Sequence, residues 1–249
     1  MSSDRIAVIG GLVHPLYLTP ILWIDAADAS TITTGAGGIT NAADKSGNGY
    51  DLPQVTSGNR PDYSGSLNGR NIITFAGGPD YLQRVTGTSV GKNAPGLTAY
   101  IVWNHTSAPT GGRQNILVVG TASGTRFALY GGLTSNKLSV QARRLDADAI
   151  TTLTGSANLG TSWHFATVVV DCVAGTIDSW LDGASDGSAS LPSSGGNSSN
   201  TDTNSVAISS GNASFDLVGG FAEMIIYNAA HSALERKRVQ GYLRNKWGL

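Results

Sequence analysis

Glycoside hydrolysis needs two carboxylates held on opposite sides of one bond at a set separation. This chain has few residues that could supply them. Its only glutamates are Glu223 and Glu235. Glu235 stands three residues after Ser232 at the head of a helically periodic stretch. That is the spacing of a capping box, in which the carboxylate bonds to a free backbone N–H. Glu223 sits alone in the apolar run 221–227. Asp25 and Asp28 form the nearest acidic pair, and Asp28 opens a turn. No catalytic residue is assigned, and the chain is not expected to be an enzyme.

Metal and sugar chemistry leave more to weigh. His14, His105, His164 and His231 are scattered, without the paired spacing of a zinc site. Asp44, Asn48 and Asp51 place oxygen atoms in one Gly-rich loop, so calcium is the one cofactor to consider, and these are its candidate ligands. The competing role of the same side chains is to hold the turn by bonding to nearby backbone. Sugars are recognised by aromatic faces beside Asn and Asp. Tyr50, Tyr63 and Tyr81 lie next to polar loops and are the candidate glycan contacts. Trp23, Trp103, Trp163 and Trp180 fall inside strand patterns and are expected in the core. Cys172, the one cysteine, lies in an apolar run and is expected to be a small buried hydrophobe.

These side chains must be positioned by strands. Short β-favouring runs at 21–25, 71–75, 81–85, 97–103, 115–120, 126–130, 137–143, 163–171, 176–181, 206–209 and 217–227 alternate with Gly-rich turns. Residues 28–34 read as a turn, and 183–204, almost wholly Gly, Ser, Asn, Thr and Asp, as a long surface loop. One helix is expected, at the end. Ser232 caps it, and Val239, Tyr242, Leu243 and Trp247 make its apolar stripe. Arg236, Lys237, Arg238, Arg244 and Lys246 lie largely off that stripe and are expected to form a solvated face. A run of strands closed by one helix argues for two packed antiparallel sheets.

Composition narrows the function classes. The chain has 249 residues, a net charge of -1 and 33 Gly. That near-neutral balance offers no general attraction to nucleic acid. No apolar run approaches the roughly 18 residues of a membrane helix, and no secretory signal is expected at the N-terminus. Residues 1–18 read as an N-terminal arm, too apolar for a solvated tail. They are expected to mediate assembly or add an edge strand, and 19–249 form the domain.

Several segments together resemble the concanavalin A-like lectin/glucanase superfamily, and within it the laminin-G-like jelly-roll domains of phage and bacterial proteins. They are Leu22-Trp23-Ile24-Asp25-Ala26-Ala27-Asp28, the stretch from Asp44 to Leu52, Arg60-Pro61-Asp62-Tyr63, Gly69-Arg70-Asn71 leading to Phe75, and Phe221 to Tyr227 with the helix to Leu249. The resemblance implies an all-β, two-sheet jelly-roll sandwich with a short C-terminal helix. It implies a structural, surface-exposed phage virion component, such as a capsid decoration, head-fibre or tail protein. Its partners would be other virion proteins or further copies of itself, with host surface glycans as a further partner. The alternative is a carbohydrate-binding lectin or adhesin module on a bacterial surface or secreted, and a weaker one is a glycan hydrolase. The superfamily's glucanase cluster, two Glu around an Asp on one strand, is absent.

Overall fold

The computed structural model describes residues 14–109, 112–121, 124–133, 136–200, 204–209 and 215–249. Two antiparallel sheets stack face to face. The seven-stranded sheet runs in the order Leu22–Asp25, Val218–Tyr227, Gly96–Trp103, His164–Asp171, Thr176–Leu181, Ala184–Ser190, with Ile73–Ala76 paired to the first half of Val218–Tyr227. The six-stranded sheet runs Thr151–Asn158, Lys137–Ala142, Gly124–Gly131, Gln114–Thr121, Asn204–Ile208, Leu82–Thr88. This is the all-β jelly-roll sandwich expected from the sequence, with one α-helix, Ala233–Trp247, at its end.

Strand alternation builds two cores from one sheet. Leu97, Ala99, Ile101 and Trp103 point between the sheets, where they meet Phe127, Leu129 and Val206. Tyr100 and Val102, between them in sequence, point outward and are also fully buried, because the helix lies on that face. Val239, Leu243 and Trp247 are its contacts there. The capping box forms as expected: Ser232 Oγ accepts from Glu235 N–H, and Glu235 accepts from Ser232 N–H. Gly248, at φ 72°, ends the helix in the left-handed conformation that glycine adopts without strain.

Three segments differ from the sequence expectation. Residues within 28–34 do more than turn: Ile32–Gly35 pairs with Gly38–Ala42 as a hairpin. Thr151–Asn158 is a full strand, although its Thr, Ser, Gly and Asn gave no apolar alternation. The run read as a surface loop begins with the edge strand Ala184–Ser190, which returns beside Thr176–Leu181 after the Asp182-Gly183 turn. Asp186 explains why so polar a strand is held. Its carboxylate is buried and accepts from the backbone of Ser156 (2.9 Å) and Ala157 (2.8 Å), latching the edges of the two sheets together. The edges approach so closely that a Cβ on Gly155 would lie 1.9 Å from Asp186 Oδ2.

Of the expected arm, residues 1–13 lie outside the described residues. Pro15–Leu18 is a 3-10 turn whose Pro15 is buried and accepts a hydrogen bond from Tyr227 Oη (3.2 Å). Leu18 packs on the helix-side core.

The helix is fastened at its far end by a buried charge cluster. Asp25 and Glu223 stand opposite each other across the Leu22–Asp25 and Val218–Tyr227 strands. A register shift between Phe221 and Glu223 marks a bulge. Glu223 is thereby aimed at the helix rather than between the sheets, a common use of a bulge. There it is fully buried and accepts from Trp23 Nε1 (2.7 Å), Trp247 Nε1 (2.6 Å), Tyr242 Oη (3.0 Å) and Lys246 Nζ (2.9 Å). Burial pushes its carboxyl up, and Lys246 pulls it back down. Lys246 also pairs with Asp25 at 2.6 Å, and Lys45 bridges Asp25 and Asp28, each at 2.8 Å.

Removing one member of such a cluster leaves buried donors and a buried cation without a partner, at about 3–5 kcal/mol. Glu223→Ala is therefore expected to lower the unfolding free energy by about that amount. Ser232→Ala should cost only about 1 kcal/mol, the loss of a cap. Urea denaturation of the two variants checks both values and their order.

Candidate functional site

The helix covers the outer face of the seven-stranded sheet only as far as the strand His164–Asp171, where Gln240 Nε2 donates to Thr167 Oγ1 (3.0 Å). The next strand, Thr176–Leu181, alternates Thr176, Asp178 and Trp180 outward with Ile177, Ser179 and Leu181 inward, and only the inward set is buried. A groove follows between this strand and the flank of the helix. Its first hollow, about 490 Å³, is lined by Asp171, Asp178, Trp180, His231, Glu235 and Arg236. The second, about 520 Å³, is lined by Asp182, Lys237, Gln240 and Arg244. Thr176 to Asp182 spans about 20 Å at strand spacing.

The groove's chemistry is graded along its length. Trp180 lies at its middle, with the Arg236 guanidinium carbon 3.7 Å from the ring centroid, a stacked cation–π contact. The acidic groups are engaged by the fold. Asp171 accepts from Val173 and Ala174 N–H, and Asp178 accepts from Thr176 Oγ1. Asp182 bonds His164 Nδ1 (2.7 Å) and Phe165 N–H (3.0 Å), and Glu235 is held by the helix cap. Aromatic surface flanked by fixed acceptors and donors is the chemistry that recognises sugar rings and their hydroxyls.

Trp163, expected in a core strand, lies half-buried just before His164–Asp171 at the margin of the helix-side core, and the indole furthest from its expected place is Trp180. It sits within a strand pattern, as expected, but on the outward face, and it is only partly buried. Trp23 and Trp103 are core residues as expected. The signal that could have separated them is the company Trp180 keeps at period two, Thr176 and Asp178. Cys172 is buried as expected.

The three candidate tyrosines are half-buried, and among the described residues no ring contact joins them. Tyr50 packs on the inter-sheet core and exchanges hydrogen bonds with Ser89. Tyr63 packs there too and donates to Ala26 O (2.7 Å). Tyr81 is fixed through its backbone by Gln54 and Asn59. In the candidate calcium loop, Asp44 accepts from the backbone of Trp23, Ser46 and Tyr50 and from Ser46 Oγ. Asp51 accepts from Asp44 N–H, and Asn48 turns its amide nitrogen toward Pro20 and Ile21 carbonyls. These are bonds that hold the loop against the first strand. Among the described residues, no three His, Cys, Asp or Glu side chains converge on a point that could hold a metal ion.

Comparison with known structures fits this architecture. The binding domain of Paraclostridial Mosquitocidal Protein 1 matches 92% of this chain at a TM-score of 0.64 and 12% identity, over 53% of its own length. The botulinum neurotoxin serotype D ligand-binding domain, solved with N-acetylneuraminic acid, matches 94% at a TM-score of 0.62 and 10% identity, over 53% of its length. The serotype G binding domain matches 92% at 0.61 and 11%, over 54% of its length. At these identities the likeness is one of fold, and this chain spans about half the length of each. No protein-family model matches the sequence, and no curated protein does.

Two histidines tie the site and the core to pH. His231, at the groove floor, has Nδ1 2.9 Å from Tyr100 Oη. His105 accepts from Trp103 Nε1 on Nε2 (3.2 Å), so its proton resides on Nδ1 and is donated to Gln114 Oε1 (3.0 Å). Burial pulls both imidazoles down to about 4, against about 6.5 in an unfolded chain. Between those values the unfolded state binds protons that the folded state refuses. Stability is therefore full above pH 6.5 and falls as pH drops toward 4. The expected loss by pH 4 is on the order of 3 kcal/mol for each histidine. Denaturation at pH 7, 5.5 and 4 should show a shallower acid slope in His105→Gln and His231→Asn than in the parent.

Proposed function

We propose that this chain is a non-enzymatic glycan-binding module of the receptor-recognition or adhesin kind, and that the groove beside the C-terminal helix holds the sugar. The observation that carries the reading is Trp180: an indole on the outward face of a rigid strand, at the middle of an open groove, between fixed carboxylates and the polar flank of a helix. The solved neighbours are binding domains, one of them complexed with a sugar. The two glutamates favour binding over hydrolysis, since one caps the helix and the other is sealed in a charge cluster. The setting implied by the sequence resemblance is the surface of a phage particle, where such a groove would face host glycans.

A glycan array followed by calorimetry tests the reading. Bound oligosaccharide should lose about tenfold or more in affinity on Trp180→Ala, as for truncation of a central aromatic contact, and should be recovered uncleaved. Affinity that survives Trp180→Ala and falls in Tyr50→Phe or Tyr81→Ala would move the site to the tyrosine loops.

A further inference from the structure

The helix flank that walls the groove carries cations that, among the described residues, close no ion pair, although Asp171, Asp178 and Glu235 line the same hollow as Arg236. Arg236, Gln240 and Arg244 follow at four-residue spacing, with Lys237 and Gly241 beside them, so they share one side of the helix. Asp171, Asp178 and Glu235 accept hydrogen bonds from N–H and hydroxyl groups of the chain and keep their charge. Among the described residues, no ion pair joins Arg236, Lys237 or Arg244 to a carboxylate. Arg244 donates from Nε to the Leu249 carbonyl, and Arg236 and Lys237 donate to no described acceptor.

Arg236 is also held in one orientation. Its guanidinium lies 3.7 Å above the Trp180 ring, and the side chain is half-buried. The contact holds the guanidinium against the ring, and no described acceptor takes its N–H groups. A fixed, unsatisfied guanidinium fork matches the two oxygens of a carboxylate, which it binds bidentately. Lys237 and Arg244 extend the same sign of charge into the second hollow.

We propose that the groove selects carboxylate-bearing sugars, with the acid of the glycan seated on Arg236 and its ring against the edge of Trp180. This inference rests on the groove being the glycan site. It assigns specificity to Arg236, Lys237 and Arg244, residues that the sequence alone presents as an ordinary solvated face. An acidic sugar gains both a bidentate ion pair and ring contact; its neutral counterpart keeps the ring contact and leaves the fork unpaired.

The test uses the full chain and two matched pairs of probes: 3′-sialyllactose against lactose, and oligogalacturonate against the same oligomer with its carboxyls reduced to alcohols. At least one acidic probe should bind tenfold or more tightly than its neutral partner, and the preference should shrink as salt is raised. Arg236→Gln should erase the preference without lowering the melting temperature. Arg236→Lys, which keeps the charge but not the fork, should restore it only in part. Equal binding of acidic and neutral members, still sensitive to Trp180→Ala, overturns the carboxylate inference and leaves the groove reading standing. Acidic preference unaffected by Arg236→Gln also overturns it. Glycan binding indifferent to Trp180→Ala overturns the groove reading itself.

Discussion

Two carboxylates face each other across neighbouring strands, Asp25 opposite Glu223, and the outer half of the molecule is arranged to make that tolerable. Like charges at directly opposed positions repel, and a buried carboxylate needs both counter-charge and hydrogen bonds. The counter-charge comes from Lys45, out of the loop after the first hairpin, and from Lys246, in the last turn of the helix. The hydrogen bonds come from two indoles and a tyrosine, two of the three belonging to the helix. The helix is therefore docked by a set of contacts that only one position and rotation can satisfy. An apolar stripe alone would fix its burial but leave its register along the sheet much freer.

That registration shapes the groove. With Trp247 and Lys246 fixed over Glu223, and Ser232 capping the other end, the flank carrying Arg236, Gln240 and Arg244 must run beside the strand Thr176–Leu181. Trp180 then receives Arg236 on its face and keeps an edge open. The charge cluster and the groove lie on opposite flanks of the same helix; the cluster's ions pair with one another, and the groove's cations close no ion pair among the described residues. The buried cluster and the proposed recognition surface thus lie on two sides of one element.

How much of this could be read from the sequence depends on whether the deciding interaction was local. The capping box, the apolar stripe of the helix and the paired strands of the middle are local patterns, and the structure places them as the residues imply. The strand Ala184–Ser190 was illegible because a contact distant in sequence holds it, the Asp186 carboxylate on Ser156 and Ala157; its own residues spell a loop. Thr151–Asn158, its partner in that contact, hides for the same reason. Glu223 read as a lone acid in a strand, because neither the bulge that turns it nor Lys246, over twenty residues on, has a sequence signature. Trp180 was the avoidable miss: its polar neighbours at alternate positions marked an outward face. The glycan and calcium candidates were chosen for residue type; Asp51 bonds within its own loop, while Asn48, Tyr50 and Tyr63 bond to Ile21, Ser89 and Ala26 in other segments.

The central claim is that ligand meets this protein along the helix flank, at Trp180. The most direct measurement is two-dimensional nitrogen–proton NMR of the labelled protein during titration with a glycan that an array shows to bind. The account predicts that the Trp180 indole N–H shifts, together with backbone amides of 176–182 and 235–244, while the indoles of Trp23 and Trp247, locked on Glu223, stay in place. Shifts confined to the loops around Tyr50, Tyr63 and Tyr81, or to the six-stranded sheet, with the Trp180 indole unmoved, would contradict it.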